Sequence, residues 1–192
     1  MNYYCDISLL PDSEVGLGFL WSKVFMQVHL ALVEHSTVEN KSLVAVSFPE
    51  YGESKFPLGK KMRLLSTEQD QLNDLNVRDW LLRFEDYTHC TSIKPVPSNV
   101  EEYAYFKRKH LKTNAERLAR RRAKRKNESF EDALKHYSNF KDQKSKLPYI
   151  NLNSLSKSER FKVFIERIPK SEATIGTFGC YGLSSSATVP IF

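Results

Sequence analysis

From Tyr3 to Leu9 the chain alternates, with Cys5, Ile7 and Leu9 on one side and Tyr4, Asp6 and Ser8 on the other. That period of two predicts a strand with one buried face, ended by Pro11 and Asp12. From about Leu17 to His35 the period changes: Trp21, Val24, Phe25, Val28 and Leu32 recur at helical spacing, and His29 lies at the edge of their apolar arc. This predicts an amphipathic helix. Leu43 to Phe48 is a short apolar run stopped by Pro49, and Lys61 to Leu65 is a further strand after Gly59. A second helix follows, capped by Ser66 or Thr67, with Leu72 and Leu75 on its apolar side and Trp80, Leu81 and Phe84 continuing in helical or irregular packing. Tyr87 to Ile93 reads as a fourth strand. Strand, helix, strand, strand, helix, strand is the ferredoxin-like, or RNA-recognition-motif, order. The expected class is α+β.

Lys94 to Asn99, with Pro95 and Pro97, has linker composition, which divides the chain into domains 1–97 and 98–192. Beyond it, Glu102 to His110 sets Tyr103, Tyr105 and Phe106 before Lys107, Arg108 and Lys109. Aromatic and basic residues together suit nucleic acid and fit an edge strand equally well. Thr113 to Lys126, TNAERLARRRAKRK, opens with a capping box of Thr113 and Glu116. At about 100° per residue, Arg117, Arg120, Arg121, Lys124 and Arg125 fall within an arc of roughly 140°, leaving Arg122 and Lys126 outside it. Only Leu118, Ala119 and Ala123 could face a core. Ser129 and Asp132 start another helix, whose Phe130, Ala133, Leu134, Tyr137 and Phe140 form a conventional face expected to anchor the basic helix. Ile150 to Leu152 and Arg160 to Ile165 read as strands around the polar loop NSLSKSE, and Gly176, Gly179 and Gly182 punctuate a last aromatic segment.

Charge changes the picture. The formal net charge is +6, yet Lys107 to Lys126 carries eleven Lys or Arg against one Glu, so the remaining residues sum to −4. Such localised basicity points to a defined site for phosphates rather than a generally sticky surface. Five like charges on one helix face repel one another, a cost that a polyanion lying against them removes. The competing reading is a solvated charged face, which normally has acids interleaved; here only Glu116 is present. Cys5, Cys90 and Cys180 are odd in number and lack Cys-x-x-Cys spacing, so neither a disulfide framework nor a zinc site is indicated. With no apolar run of about 18 residues and no basic-then-apolar start, the expected setting is the cytoplasm, without membrane contact.

Walker A, strand-linked GxGxxG and His-Glu-x-x-His motifs are all missing, which disfavours nucleotide triphosphate use, dinucleotide binding and zinc hydrolysis. A reaction without metal or cofactor needs side chains that move protons near neutral pH. RNA supplies its own nucleophile, the 2′-hydroxyl beside each phosphate, so a protein need only remove that proton, align the attack and stabilise charge on phosphorus. Histidine titrates nearest neutrality. Of the five, His35, His89 and His136 sit in surface or packing contexts, and a lone helical histidine such as His29 is commonly structural.

Five segments together carry a family resemblance: VHLALV around His29, VAVSFPE at Val44 to Glu50, NAERL with the Arg-rich run, RFKVFI, and GCYGLS followed by VPIF. They span almost the whole chain, and the sequence resembles the CRISPR repeat-processing endoribonuclease of subtype I-F, the Csy-type enzyme. The resemblance implies an N-terminal ferredoxin-like domain plus a smaller domain with the arginine-rich helix. It implies binding of the CRISPR repeat hairpin and cleavage at the 3′ base of the stem by 2′-hydroxyl attack. No metal or cofactor takes part, and the products are a 2′,3′-cyclic phosphate and a 5′-hydroxyl. The enzyme would keep the crRNA within the type I-F surveillance complex, with the other subunits as partners.

By position, His29 matches the catalytic histidine, Ser154 the serine that places the 2′-hydroxyl, and Tyr181 the tyrosine that orients histidine and nucleotide. Ser156 is a rival to Ser154. Phe161 matches an aromatic stacking on the closing base pair; Arg121 and Arg125, within the set Arg117, Arg120, Arg121, Lys124 and Arg125, match arginines entering the hairpin's major groove. Because an A-form major groove is narrow, mostly phosphate contacts are expected, with bidentate guanidinium geometry where a base edge is exposed. The chain departs from the family's Arg-x-Gln pair, having Arg108-Lys109-His110. Arg108 can still pair with a guanine edge. His110 leaves two options open, a different preferred base pair or a shifted register, and adds a second imidazole. Two other functions compete: an RNA-hairpin-binding subunit that no longer cleaves, and an unrelated basic helix docking on DNA or ribosomal RNA.

Overall fold

The computed structural model describes residues 1–192 apart from 37–39, 54, 112–113, 142 and 155–158. Its strands are β1 (Tyr3–Leu9), β2 (Lys41–Ser42), β3 (Ala45–Ser47), β4 (Lys61–Ser66), β5 (Thr88–Cys90), β6 (Lys94–Pro95), β7 (Glu102–Lys109), β8 (Tyr149–Asn153), β9 (Arg160–Lys170), β10 (Phe178–Gly179) and β11 (Val189–Ile191). The helices are α1 (Leu17–Glu34), α2 (Gln69–Leu75), α3 (Val77–Leu81), α4 (Ala115–Lys126) and α5 (Phe130–Lys135), with a 3-10 turn at Leu82–Tyr87. Helix and sheet are mixed, as an α+β chain requires.

One sheet runs β3-β4-β1-β5, with β6 also on β1, and a second runs β11-β7-β9-β8. The first is antiparallel, with Ile7 of β1 facing Met62 on one side and Cys90 on the other. Its buried Cys5, Ile7, Leu9, Met62 and Leu64 lie in one core with Leu20, Trp21, Val24, Phe25, Val28 and Leu32 of α1. Trp21 satisfies its indole N–H by donating to the Gly59 carbonyl at 2.9 Å, so the ring can be buried without an orphan donor. The inner face of the second sheet, with Phe106, Ile150, Leu152, Val163 and Ile165, joins that core, and β8 packs on α1.

Several expectations change. One residue on the polar side of β1 is buried as well: Asp6 is 7% exposed because Arg63 donates to both its carboxylate oxygens, at 2.7 and 3.0 Å. The same guanidinium donates to the Phe192 carbonyl at 2.7 Å and lies over the Tyr4 and Phe192 rings. Trp80 and Leu81 fall on the separate α3 and Phe84 in the 3-10 turn, because Asn76, with a left-handed φ of 40°, ends the second helix, α2. Its cap position is Glu68, since the Ser66 hydroxyl donates to the Glu68 carbonyl and turns away from the orphan amides. The expected fourth strand shortens to β5, ending near Thr91, whose Oγ1 accepts from the Asp6 amide. Lys94 and Pro95, read as linker, pair with β1 opposite Tyr4 and Tyr3. β7 is an interior strand, not an edge.

The chain packs as two compact units, residues 1–108 with 148–192, and residues 109–147. This differs from a division at 97/98, because β7, β8, β9 and β11 share a core with the N-terminal elements. Within the second unit, the Asn114 side chain caps α4 by accepting from the Arg117 amide at 2.8 Å; Thr113, the expected cap, lies outside the described residues. Asn127, at φ 54°, closes the helix. Ser129 accepts from the Asp132 amide at the start of α5. That helix stops at Lys135, and Tyr137 and Phe140 follow in turns. The buried Ala119 and Ala133 let α4 and α5 pack closely.

In the first unit, the segment after β10 forms a tight turn. The Gly182 amide donates to the Gly179 carbonyl and the Gly179 amide to the Leu183 carbonyl, each at 2.8 Å. Gly182 has φ +68°, and its carbonyl accepts from the Val46 amide of β3 at 2.8 Å. A β-carbon there would stand 2.9 Å from the Val46 nitrogen and run into its side chain. The turn is therefore clamped against β3, with Cys180 and Tyr181 at its tip.

Two stability predictions result. Asp6→Ala strands the buried Arg63 charge and lowers the unfolding free energy by about 3–5 kcal/mol in denaturant titration, part of which the added Arg63→Met change restores. Gly182→Ala meets both the strained φ and the Val46 contact, and costs about 1–3 kcal/mol by the same measurement.

Candidate active site

His29 stands one helical turn beyond Phe25 on α1, so both side chains leave the same face. Its Nδ1 lies 2.8 Å from the Cys180 carbonyl oxygen at the tip of the glycine turn. A carbonyl can only accept, so Nδ1 carries the proton, and in the neutral ring Nε2 bears the lone pair. Tyr181 stacks on the imidazole, with centroids 4.1 Å apart and planes at 18°, and lies nearly parallel to the Phe25 ring at 6.0 Å. The hydrogen bond and the stacking together leave the imidazole little freedom to rotate.

Electrostatics favour the neutral ring. Burial pushes the His29 pKa below its ordinary 6.5, the nearby Arg108 charge pushes the same way, and the hydrogen bond to Cys180 opposes them. Arg108 projects from β7 with its guanidinium 5.3 Å from the Tyr181 ring centre and 5.4 Å from that of Phe161. Burial raises the Tyr181 phenol, and Arg108, by charge and a side-chain hydrogen bond, works against that rise. Burial likewise raises the Cys180 thiol. His29, Tyr181, Arg108 and Phe161 thus form one half-buried cluster with a fixed cation beside a neutral imidazole.

Ser154 follows β8, the strand packed on α1, and its amide donates to the Glu159 carbonyl at 2.8 Å, closing the base of the loop. Its rival Ser156 lies outside the described residues. Of the remaining histidines, His35 Nδ1 is 2.9 Å from the Ala31 carbonyl at the end of α1 and His136 Nε2 is 3.0 Å from Arg122. Among the described residues no three His, Cys, Asp or Glu side chains gather closely enough to hold a metal ion.

In the other unit, Arg117, Arg120, Arg121, Lys124 and Arg125 of α4 are all exposed. Arg120 reaches Glu116 at 3.4 Å and lies over the Phe130 ring. Arg122 departs from them, as its position on the helix requires: it turns to Glu128, 2.6 Å away. The last-turn Lys124, Arg125 and Lys126 also meet the favourable negative end of the helix dipole. His110 belongs to this unit and is exposed, whereas Arg108 belongs to the first.

Two contributors escape a reading of side-chain chemistry. The Cys180 group facing His29 is a backbone carbonyl, which no residue type announces, although Gly-x-x-Gly spacing around it signals the turn. Phe25 reads as ordinary core and does belong to the core, yet it also backs Tyr181.

Comparison with known sequences agrees along the whole chain. The model of the family described as "CRISPR-associated protein (Cas_Csy4)" matches residues 4–192. Over the full length of both chains, the sequence is 35% identical to the CRISPR-associated endonuclease Cas6/Csy4 of Pseudomonas aeruginosa (strain UCBPP-PA14). It is 32% identical, again over both full lengths, to the CRISPR-associated endonuclease Cas6/Csy4 of Escherichia coli (strain UTI89 / UPEC). A match of this extent, running through the helix of His29, the arginine-rich helix and the glycine turn alike, places the chain in the Csy4 family of CRISPR-associated proteins.

Proposed function

We propose that this protein is a metal-independent endoribonuclease that binds the CRISPR repeat hairpin and cuts pre-crRNA at the 3′ base of the stem. Its relatives are named endonucleases. The observation that carries the mechanism is the Nδ1 hydrogen bond of His29 to Cys180, because it leaves Nε2 as the base. Nε2 takes the proton of the 2′-hydroxyl upstream of the cut. The 2′-oxygen bonds to phosphorus as the bond to the 5′-oxygen breaks, leaving a 2′,3′-cyclic phosphate, and the imidazolium returns the proton to the departing oxygen. A histidine poised neutral near pH 7 supplies this exchange at little cost in protonation.

The other residues orient and bind. Ser154 places the 2′-hydroxyl, Tyr181 holds the imidazole plane, and Phe161 stacks on the closing base pair. Arg108 offers its guanidinium fork to a guanine edge. The exposed arc Arg117, Arg120, Arg121, Lys124 and Arg125 meets the phosphates of the stem, and His110 belongs to the RNA-binding set. A ferredoxin-like reading of the N-terminal half is supported by the sheet order β3-β4-β1-β5 with its helix insertions. The product stays bound as part of the type I-F surveillance complex in the cytoplasm.

The test is cleavage of the repeat hairpin in excess chelator. All-ribose RNA is cut, RNA with a single 2′-deoxy sugar upstream of the cut is not, and His29→Ala slows cutting by about 10²–10⁴-fold while binding persists. Cleavage of the deoxy substrate would refute 2′-hydroxyl attack; tight binding without any cleavage would leave a hairpin-binding subunit.

A further inference from the structure

The second sheet has a face that neither the core nor the cluster around His29 uses. Side chains alternate along a strand, and on β9 the odd positions Val163 and Ile165 are buried while Arg160, Lys162 and Phe164 point the other way. The strand register sets Tyr149 of β8 opposite Phe164. Their rings meet at 5.3 Å between centroids, and Tyr149 remains 40% exposed. Lys162 Nζ stands 4.2 Å from the centre of the Tyr149 ring. Farther along the same face, Lys170 lies 5.8 Å from the Tyr105 ring of β7. The one carboxylate among these outward contacts, Glu166, is matched by Lys107 at 3.1 Å.

An open sheet face with aromatic rings between mobile cations has the chemistry of a single-strand platform. Bases stack on the rings whatever their identity, and phosphates pair with the lysine and arginine heads. A folded hairpin cannot use it so, because its bases are already stacked and paired. A second copy of this chain would bring cations against cations. We propose that this face binds single-stranded RNA flanking the stem, with Tyr149 and Phe164 as the stacking pair and Arg160, Lys162 and Lys170 along the backbone. It begins beside the loop that carries Ser154, since β8 ends and β9 begins there. The inference extends the RNA-binding reading above and rests on it only for which RNA supplies the strand.

Fluorescence anisotropy on the full chain separates the two. The probes are the repeat hairpin alone, the hairpin with about ten uridines added at its 5′ or 3′ end and a 2′-deoxy sugar at the cut, and the uridine strand alone; stacking at one base is worth about tenfold. The extension at one end is expected to tighten binding about tenfold or more. The double variant Tyr149→Ala, Lys162→Ala loses that gain, Tyr149→Phe keeps it, and hairpin-only binding is the same in all. The proposal is overturned if neither extension tightens binding, or if the double variant weakens hairpin alone equally. A change in molar mass by light scattering, with no RNA effect, assigns the face to protein contact and also overturns it. Should the hairpin fail to bind while the uridine strand binds in a Tyr149-dependent way, the platform stands and the hairpin reading falls.

Discussion

Everything proposed for the chemistry depends on one hydrogen bond, from His29 Nδ1 to the Cys180 carbonyl across 151 residues of sequence. A histidine has two nitrogens and no intrinsic preference strong enough to decide which serves as a base. A carbonyl decides it. The rest of the first unit can be read as what holds these two atoms in place: α1 is fixed by burying its Trp21 and Phe25 against Phe48, and the carbonyl is fixed by a turn whose Gly182 packs too closely on Val46 for a side chain to fit without strain. Tyr181, next to Cys180 in sequence, stacks over the ring and limits its rotation.

Arg108 links electrostatics to this geometry. A guanidinium retains its charge at any working pH, so its position beside His29 adds to burial in favouring the uncharged imidazole. Under the proposed function, the same cation would draw a phosphate or a guanine edge toward that uncharged imidazole. The arginine-rich helix works differently. The five exposed cations of its arc need no exact neighbours, and their mutual repulsion is relieved by any polyanion of matching spacing. Placement matters at the cluster and charge density at the helix.

Much of this was legible from residues alone where one physical signal dominated. β1 and α1 fall where the alternation and the helical arc place them, because a single buried face governs each. The exposed arc of α4 follows from angle alone, and so does the departure of Arg122. What pattern could not supply were long-range partners. Asp6 reads as solvent-facing until Arg63 and Phe192 cover it, Lys94 and Pro95 read as linker until β1 pairs with them, and the β7 strand reads as an edge until its neighbours on both sides are known. The end of α2 at Asn76 carries no strong signal because asparagine is unremarkable inside a polar stretch, although it is the residue other than glycine that most readily takes a left-handed turn. Around His29, the family resemblance named the side chains, whereas the backbone carbonyl that fixes the imidazole tautomer needed the fold.

The most direct test of the account is the protonation of the His29 ring itself, read from its imidazole nitrogen-15 resonances over a pH series, with His29→Gln used to assign them. The account predicts a protonated Nδ1 and an unprotonated Nε2 at pH 7, titrating with a midpoint below the ordinary 6.5. A proton on Nε2 in the neutral ring, or a midpoint at or above 6.5, would contradict it.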